Sequence, residues 1–139
     1  MVTAAQCYKK YGIPEKEAFM RVITVPDFLR ADHVPVKIYC NRDMEKPLLM
    51  ALSNLHKEGY IQELKTWDGC FNIRKKRGGF SASLHSWGIA VDINAAWNPF
   101  GKPPRLSDGF VKCWKEAGFD WGGEWKRPDG MHFQLAKLP

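Results

Sequence analysis

Ser83-Leu84-His85-Ser86-Trp87-Gly88-Ile89-Ala90-Val91-Asp92-Ile93-Asn94 and, further along, Asp129-Gly130-Met131-His132-Phe133-Gln134 decide how the chain is read. From Ile89 to Asn94 the apolar Ile89, Val91 and Ile93 alternate with Ala90, Asp92 and Asn94, the period of a strand with one face on a core. Asp92 then projects from the polar face, and Gly88 permits the close backbone approach that brings His85 over it. In the second stretch Met131, Phe133 and Leu135 alternate with His132, Gln134 and Ala136, so His132 turns away from the apolar set. If the two strands are neighbours, His85, Asp92 and His132 meet. Two histidines and a carboxylate suit a catalytic zinc ion that keeps one position open. Asp129, three residues before His132, is placed to sit beside such an ion without ligating it and to accept a proton from water.

Around these stretches the chain reads as one domain. Its 139 residues suffice for a single core, with residues 1–34 a less strongly patterned N-terminal extension of it. Hydrophobic residues make up 45% and charged residues 26%, which argues against a disordered chain, and no apolar run approaches a transmembrane segment. The N-terminus lacks the charged start and apolar block of a secretory leader, so accumulation in a cytoplasm is expected. Cys7, Cys40, Cys70 and Cys113 are widely spaced, with no Cys-x-x-Cys pair, and read as buried free thiols. A net charge of +6 favours polyanionic partners, either nucleic acid or an anionic cell envelope, and the metal pattern favours the envelope.

Local signals predict the scaffold. Pro14 opens a short helix through Met20, Val36 to Cys40 alternates as a strand, and Asp43 caps a helix from Met44 to Glu58 that Gly59 ends. Leu48, Leu52 and Leu55 form its inner stripe; His56 is a surface residue and His33 a loop residue, neither a ligand. Ile61–Trp67 and Cys70–Arg74 are read as a hairpin turning at Asp68-Gly69, which delivers Arg74 next to the basic loop Lys75-Lys76-Arg77-Gly78-Gly79. Trp97 to Pro104 is an irregular loop, a cleft wall through Trp97 or Phe100 or else plain packing. Ser107 caps a last helix to Ala117 with Val111 and Trp114 inward, stopped by Gly118.

The pattern Ser-x-His-x-x-Gly-x-Ala-x-Asp, here Ser83 to Asp92, followed by carboxylate-x-x-His, here Asp129 to His132, resembles the zinc D-alanyl-D-alanine carboxypeptidase family, peptidase family M15. Within it the likeness is greatest to bacteriophage L-alanyl-D-glutamate peptidase endolysins; Trp121-Gly122-Gly123-Glu124-Trp125, Arg74 and the use of Asp rather than Glu at 129 resemble that branch. The likeness covers residues 35–136. It implies an α+β fold, a small antiparallel sheet carrying the zinc site and packed against helices, as in hedgehog and D-Ala-D-Ala peptidase domains. It also implies zinc held by His85, Asp92 and His132, Asp129 as general base, and Arg74 as the cation that holds substrate or oxyanion. Ser83, Trp87 and Trp125 are expected behind the ligands or along the substrate cleft. The implied substrate is the peptidoglycan stem peptide, cut at its L-alanyl-D-glutamate bond by a monomer with no specific nucleic-acid partner, which reaches the wall after release by a separate membrane-permeabilising protein. The rivals are a D-alanyl-D-alanine carboxypeptidase or dipeptidase on the same substrate, a non-catalytic zinc-stabilised binding module, and, from charge alone, a nucleic-acid binder.

Overall fold

The chain was analysed as a computed structural model that describes residues 1–139. Its centre is a four-stranded antiparallel sheet in which β3 (Trp67–Gly69), β4 (Ala90–Ile93), β6 (His132–Leu135) and β5 (Phe119–Trp121) lie side by side in that order. The two strands expected from alternation are therefore adjacent, and their register sets Asp92 directly opposite His132. Ile89, Val91 and Ile93 pack with Phe133 into the core. The opposite face is also buried, because loops roof over the polar residues: Asp92, Asn94, His132 and Gln134 are all buried. The fold is α+β, with this sheet and a smaller one packed against three helices.

The helix α3 (Asp108–Glu116) begins as its sequence predicts, with the Ser107 hydroxyl accepting from the Phe110 amide at 3.3 Å, and buries Phe110, Val111 and Trp114. Trp114 stacks on Phe133 with centroids 4.6 Å apart, tying the helix to β6. The helix α2 (Glu45–Lys57) turns Leu48, Ala51, Leu52 and Leu55 inward, and Gly59 follows it in the left-handed region. Its entry differs from expectation. A 3-10 turn at Arg42–Met44 precedes it, and Asn41, not Asp43, supplies the cap by accepting from the Asp43 amide at 2.9 Å. The Asp43 carboxylate instead accepts from the Tyr11 hydroxyl at 2.7 Å.

The first forty residues carry more structure than their patterning announces. Thr3 and Gln6 form a reciprocal capping box that starts α1 (Ala4–Tyr11), whose Cys7 and Tyr11 join the core. The helix expected at Pro14–Met20 is only a 3-10 turn at Pro14–Lys16, ended by Glu17 in the left-handed region. Met20–Thr24 then forms β1, which pairs antiparallel with β2 (Lys37–Asn41). The expected 61–74 hairpin does not form either. Ile61–Glu63 is a 3-10 turn, and Asp68-Gly69 lies within β3, which pairs with β4 through a register shift. Asn94 draws this region inward. It sits at φ 52°, accepts from the Lys65 and Thr66 amides and donates to the Glu63 carbonyl, so residues 63–66 bond to the end of β4 rather than to 70–74.

Candidate metal centre

His85 lies on the 3-10 turn Leu84–Trp87, which Ser83 begins by accepting from the His85 amide at 3.3 Å. Gly88 ends the turn at φ 67° with its backbone against β2; a Cβ there would stand 2.7 Å from the Asn41 nitrogen. The chain therefore reverses tightly enough to set His85 over β4, where Asp92 is waiting. His85 Nε2 lies 3.1 Å from Asp92 Oδ1, and His132 Nδ1 lies 3.4 Å from the same oxygen. Ligand atoms of all three residues fall within 4.8 Å of one another, and the three are buried.

The far sides of the two rings determine what the near sides can do. His85 Nδ1 is 2.7 Å from the Cys70 carbonyl, which can only accept, so that nitrogen carries the proton and Nε2 offers a lone pair. His132 Nε2 is 2.9 Å from Gln134 Oε1, and donation to this oxygen leaves Nδ1 as the lone pair. Two lone pairs and a carboxylate oxygen then face one another, an arrangement that is repulsive without a cation among them. His85 Nε2 and Asp92 Oδ1 are accordingly buried without conventional partners. A tetrahedron with zinc bonds of about 2.0–2.1 Å has edges of about 3.3 Å, close to the two short separations here. The donor set fits a zinc ion, and the carbonyl of Cys70 and the amide of Gln134 orient its ligands as outer partners do.

Asp129 comes from the loop after the 3-10 turn Gly122–Glu124, which places it by the Asp129 amide donating to the Gly122 carbonyl at 2.8 Å. Its Oδ2 is 3.9 Å from His132 Nδ1, and its Oδ1 is buried without a partner. Burial raises the Asp129 pKa, against the pull of His132. Burial also acts against ionisation of Asp92, but the two imidazoles beside it outweigh that penalty and hold the carboxyl below the usual range. One carboxylate is thus kept anionic and the other made more basic, the division between a ligand and a proton acceptor.

Arg74 reaches the site although no hairpin delivers it. Its amide donates to Ser86 Oγ, whose hydroxyl donates back to the Arg74 carbonyl, and its Nη2 lies 3.8 Å from Asp92 Oδ2. Arg77 Nη1 lies at the same distance from that oxygen. A cleft of about 650 Å³ opens in front, reached by Arg74, Ser83, Trp125, Asp129 and His132. Trp125 stands beside the His132 ring with centroids 5.2 Å apart. Trp87 faces elsewhere: it is buried, meets Tyr8 edge-on at 4.8 Å, and donates from Nε1 to the Gly12 carbonyl, so it anchors α1 rather than walling the cleft. Of the irregular loop, Phe100 lines the cleft while Trp97 lies under Lys65. His56 donates to or accepts from nothing in the site; its Nε2 meets the Leu29 carbonyl. All four cysteines are buried and unpaired. Gln134 was not singled out by residue type, and Arg77 only as part of the basic loop 75–79. The two-residue alternation from His132 is the signal that puts Gln134 on the ligand face.

A small α+β domain with a His-Asp-His centre, a buried carboxylate beside it and an open cleft has the layout of a metallohydrolase. Residues 76–135 match a family model described as D-alanyl-D-alanine carboxypeptidase. That span, less than half of the chain, contains His85, Asp92, Asp129 and His132 and supports peptidase family M15, hence a metallopeptidase reading. No curated protein and no solved structure matches the chain. No helix is long and apolar enough to cross a membrane.

Proposed function

We propose that the protein is a zinc-dependent peptidoglycan peptidase of the phage endolysin type, hydrolysing the L-alanyl-D-glutamate bond of the stem peptide. The observation that carries the reading is the convergence of His85, Asp92 and His132 with Asp129 buried beside them. A bound zinc ion would supply Lewis acidity, polarising the scissile carbonyl and acidifying water. Asp129, with its raised proton affinity, takes the proton of the attacking water and returns it to the leaving amine. Arg74, half-withdrawn from solvent next to Asp92, offers its guanidinium to the carbonyl oxygen as charge develops there. Ser83 holds the turn that presents His85, and Trp125 forms the wall beside His132. The Asp at 129 favours the endolysin-type bond.

The description of the matched family supports a second reading, removal of the terminal D-alanine from the same peptide. Mass analysis of muropeptides after digestion separates the two. Stem peptides beginning with D-glutamate are expected. Muropeptides shortened by one alanine, with the lactyl-alanine link intact, would replace the endolysin reading by the carboxypeptidase one.

A further inference from the structure

The cleft in front of the metal centre is strongly one-sided in charge. Arg74, Lys76, Arg77, Lys126 and Arg127 line it, and the acidic residue among its lining is Asp129, which faces the ligands. Lys76, Lys126 and Arg127 form no ion pair with the protein, and the carboxylate near Arg77 is Asp92, already shared with Arg74 and both histidines. A concave surface with uncompensated cations concentrates the field and favours anionic groups over neutral ones of the same shape.

These are not all freely moving surface chains. The Arg127 guanidinium lies over the Phe100 ring, 4.6 Å from its centroid. Its other side packs on Gly78 so closely that a Cβ at that position would stand 2.7 Å from Nη1, and Gly78 sits at φ 69°. The guanidinium is thus held between the 75–80 loop and the 97–104 loop. Arg77 is held by Met131 Sδ and Asp92 Oδ2, each 3.8 Å from its Nη1. A planar donor fork that is already positioned loses less freedom on binding a carboxylate.

We infer that the cleft selects stem peptides whose carboxylates are free, with Arg77, Lys126 and Arg127 as the residues that read them, and that peptides amidated at those carboxyls are poor ligands. The inference rests on the stem-peptide reading above. In a stem peptide extended through the D-glutamate side chain, the α-carboxyl of that residue is adjacent to the scissile amide and is assigned to Arg77, whose Nη1 lies 3.8 Å from Asp92 Oδ2 at the metal centre. Carboxyls of later residues are assigned to Lys126 and Arg127 on the cleft lining. An amide at these places keeps the shape and removes the charge, so its exclusion comes from the lost ion pairing.

The test uses two synthetic peptides, L-Ala-γ-D-Glu-L-Lys and its D-isoglutamine counterpart. Binding is measured by calorimetry on the zinc-loaded Asp129→Asn protein, and turnover on the unaltered protein. The carboxylate peptide is expected to bind at least about tenfold more tightly and to show the difference in KM rather than kcat. The preference should shrink to about twofold or less in Arg77→Gln, persist in the Lys126→Gln/Arg127→Gln double variant, which instead weakens binding of both peptides because they share the C-terminal carboxylate, and weaken as salt rises from roughly 50 to 300 mM. Equal binding of the two peptides, a preference unchanged in Arg77→Gln, or binding of both peptides unchanged in the double variant would overturn the inference. Preferential binding with no cleavage of either peptide would remove the L-alanyl-D-glutamate peptidase reading and leave carboxylate selection standing; cleavage without preference would do the reverse.

Discussion

Asp129 and Asp92 lie on either side of His132 and differ in what burial does to them. Asp129 has its pKa raised by desolvation, so the folded chain holds its proton more tightly than the unfolded chain does. Its contribution to stability is present below the unfolded carboxylate value of about 3.9 and is lost as pH rises through the higher folded one. Metal-free Asp129→Asn protein is therefore expected to melt higher than the unaltered metal-free protein at pH 7, with the gap closing toward pH 4; calorimetric scans across that range check it. Asp92 runs the other way, since its lowered pKa contributes stability above the unfolded value that is lost on acidification. In the zinc-loaded state the same Asp129→Asn change should bind zinc normally and lower kcat by about 10²–10⁴-fold, the usual range for losing a general base. Full turnover in a zinc-loaded variant would remove the assigned role. Gln134 is a subtler case, because it touches the metal centre only through His132 Nε2. Gln134→Leu should weaken zinc binding by about 10–100-fold, measured by competition with a chromophoric chelator.

At the scale of elements, two backbone approaches hold the centre together. The Gly122 carbonyl accepts from the Asp129 amide, and a Cβ on Gly122 would lie 2.6 Å from the Asp129 oxygen and 3.3 Å from the His132 Cβ. Gly122→Ala must displace both Asp129 and His132, and should lower activity and zinc affinity together while the helical circular dichroism signal is kept. On the other side, Trp87 Nε1 donates to the Gly12 carbonyl and its ring packs on Tyr8, so the turn carrying His85 is braced by α1. Trp87→Phe keeps an aromatic ring but loses the donor and part of the buried indole; a stability loss of at least about 1 kcal/mol is expected in urea unfolding, and an unchanged midpoint would show that α1 does not brace the turn. These elements also explain what could be read in advance. Strands β4 and β6 and helix α3 were legible because their apolar periods and the Ser107 cap agree with their tertiary roles. The 61–74 hairpin was misread because Asp68-Gly69 is a good turn signal locally, while the inward amide of Asn94 binds residues 63–66 and outweighs it. Strand β1 escaped notice since Arg21 and Val22 leave only Ile23 fully buried, and α1 because its start rests on a Thr3–Gln6 pair rather than on an apolar stripe.

Across the whole molecule, one buried cluster runs from Val2 to Leu135, so the N-terminal residues contribute to the same core as the sheet. The convergence of His85, Asp92 and His132 was legible because alternation in two separate segments gave a geometric reason for it. The cleft was not, since it is assembled from the ends of five segments and its charge balance depends on which of 21 Lys and Arg face it. Binding of zinc to the native state alone should raise stability by about 2.7 kcal/mol when free zinc is about 100 times its Kd, visible as a zinc-dependent rise in melting temperature. The central claim is that the ion held by His85, Asp92 and His132 makes the chain a peptidase. Its most direct test is digestion of purified peptidoglycan by protein stripped with chelator and then titrated with zinc. Stripped protein should release no peptide, and release should return and saturate at about one zinc per chain. Undiminished release by the stripped protein, or intact peptidoglycan after one equivalent of zinc has bound, would contradict it.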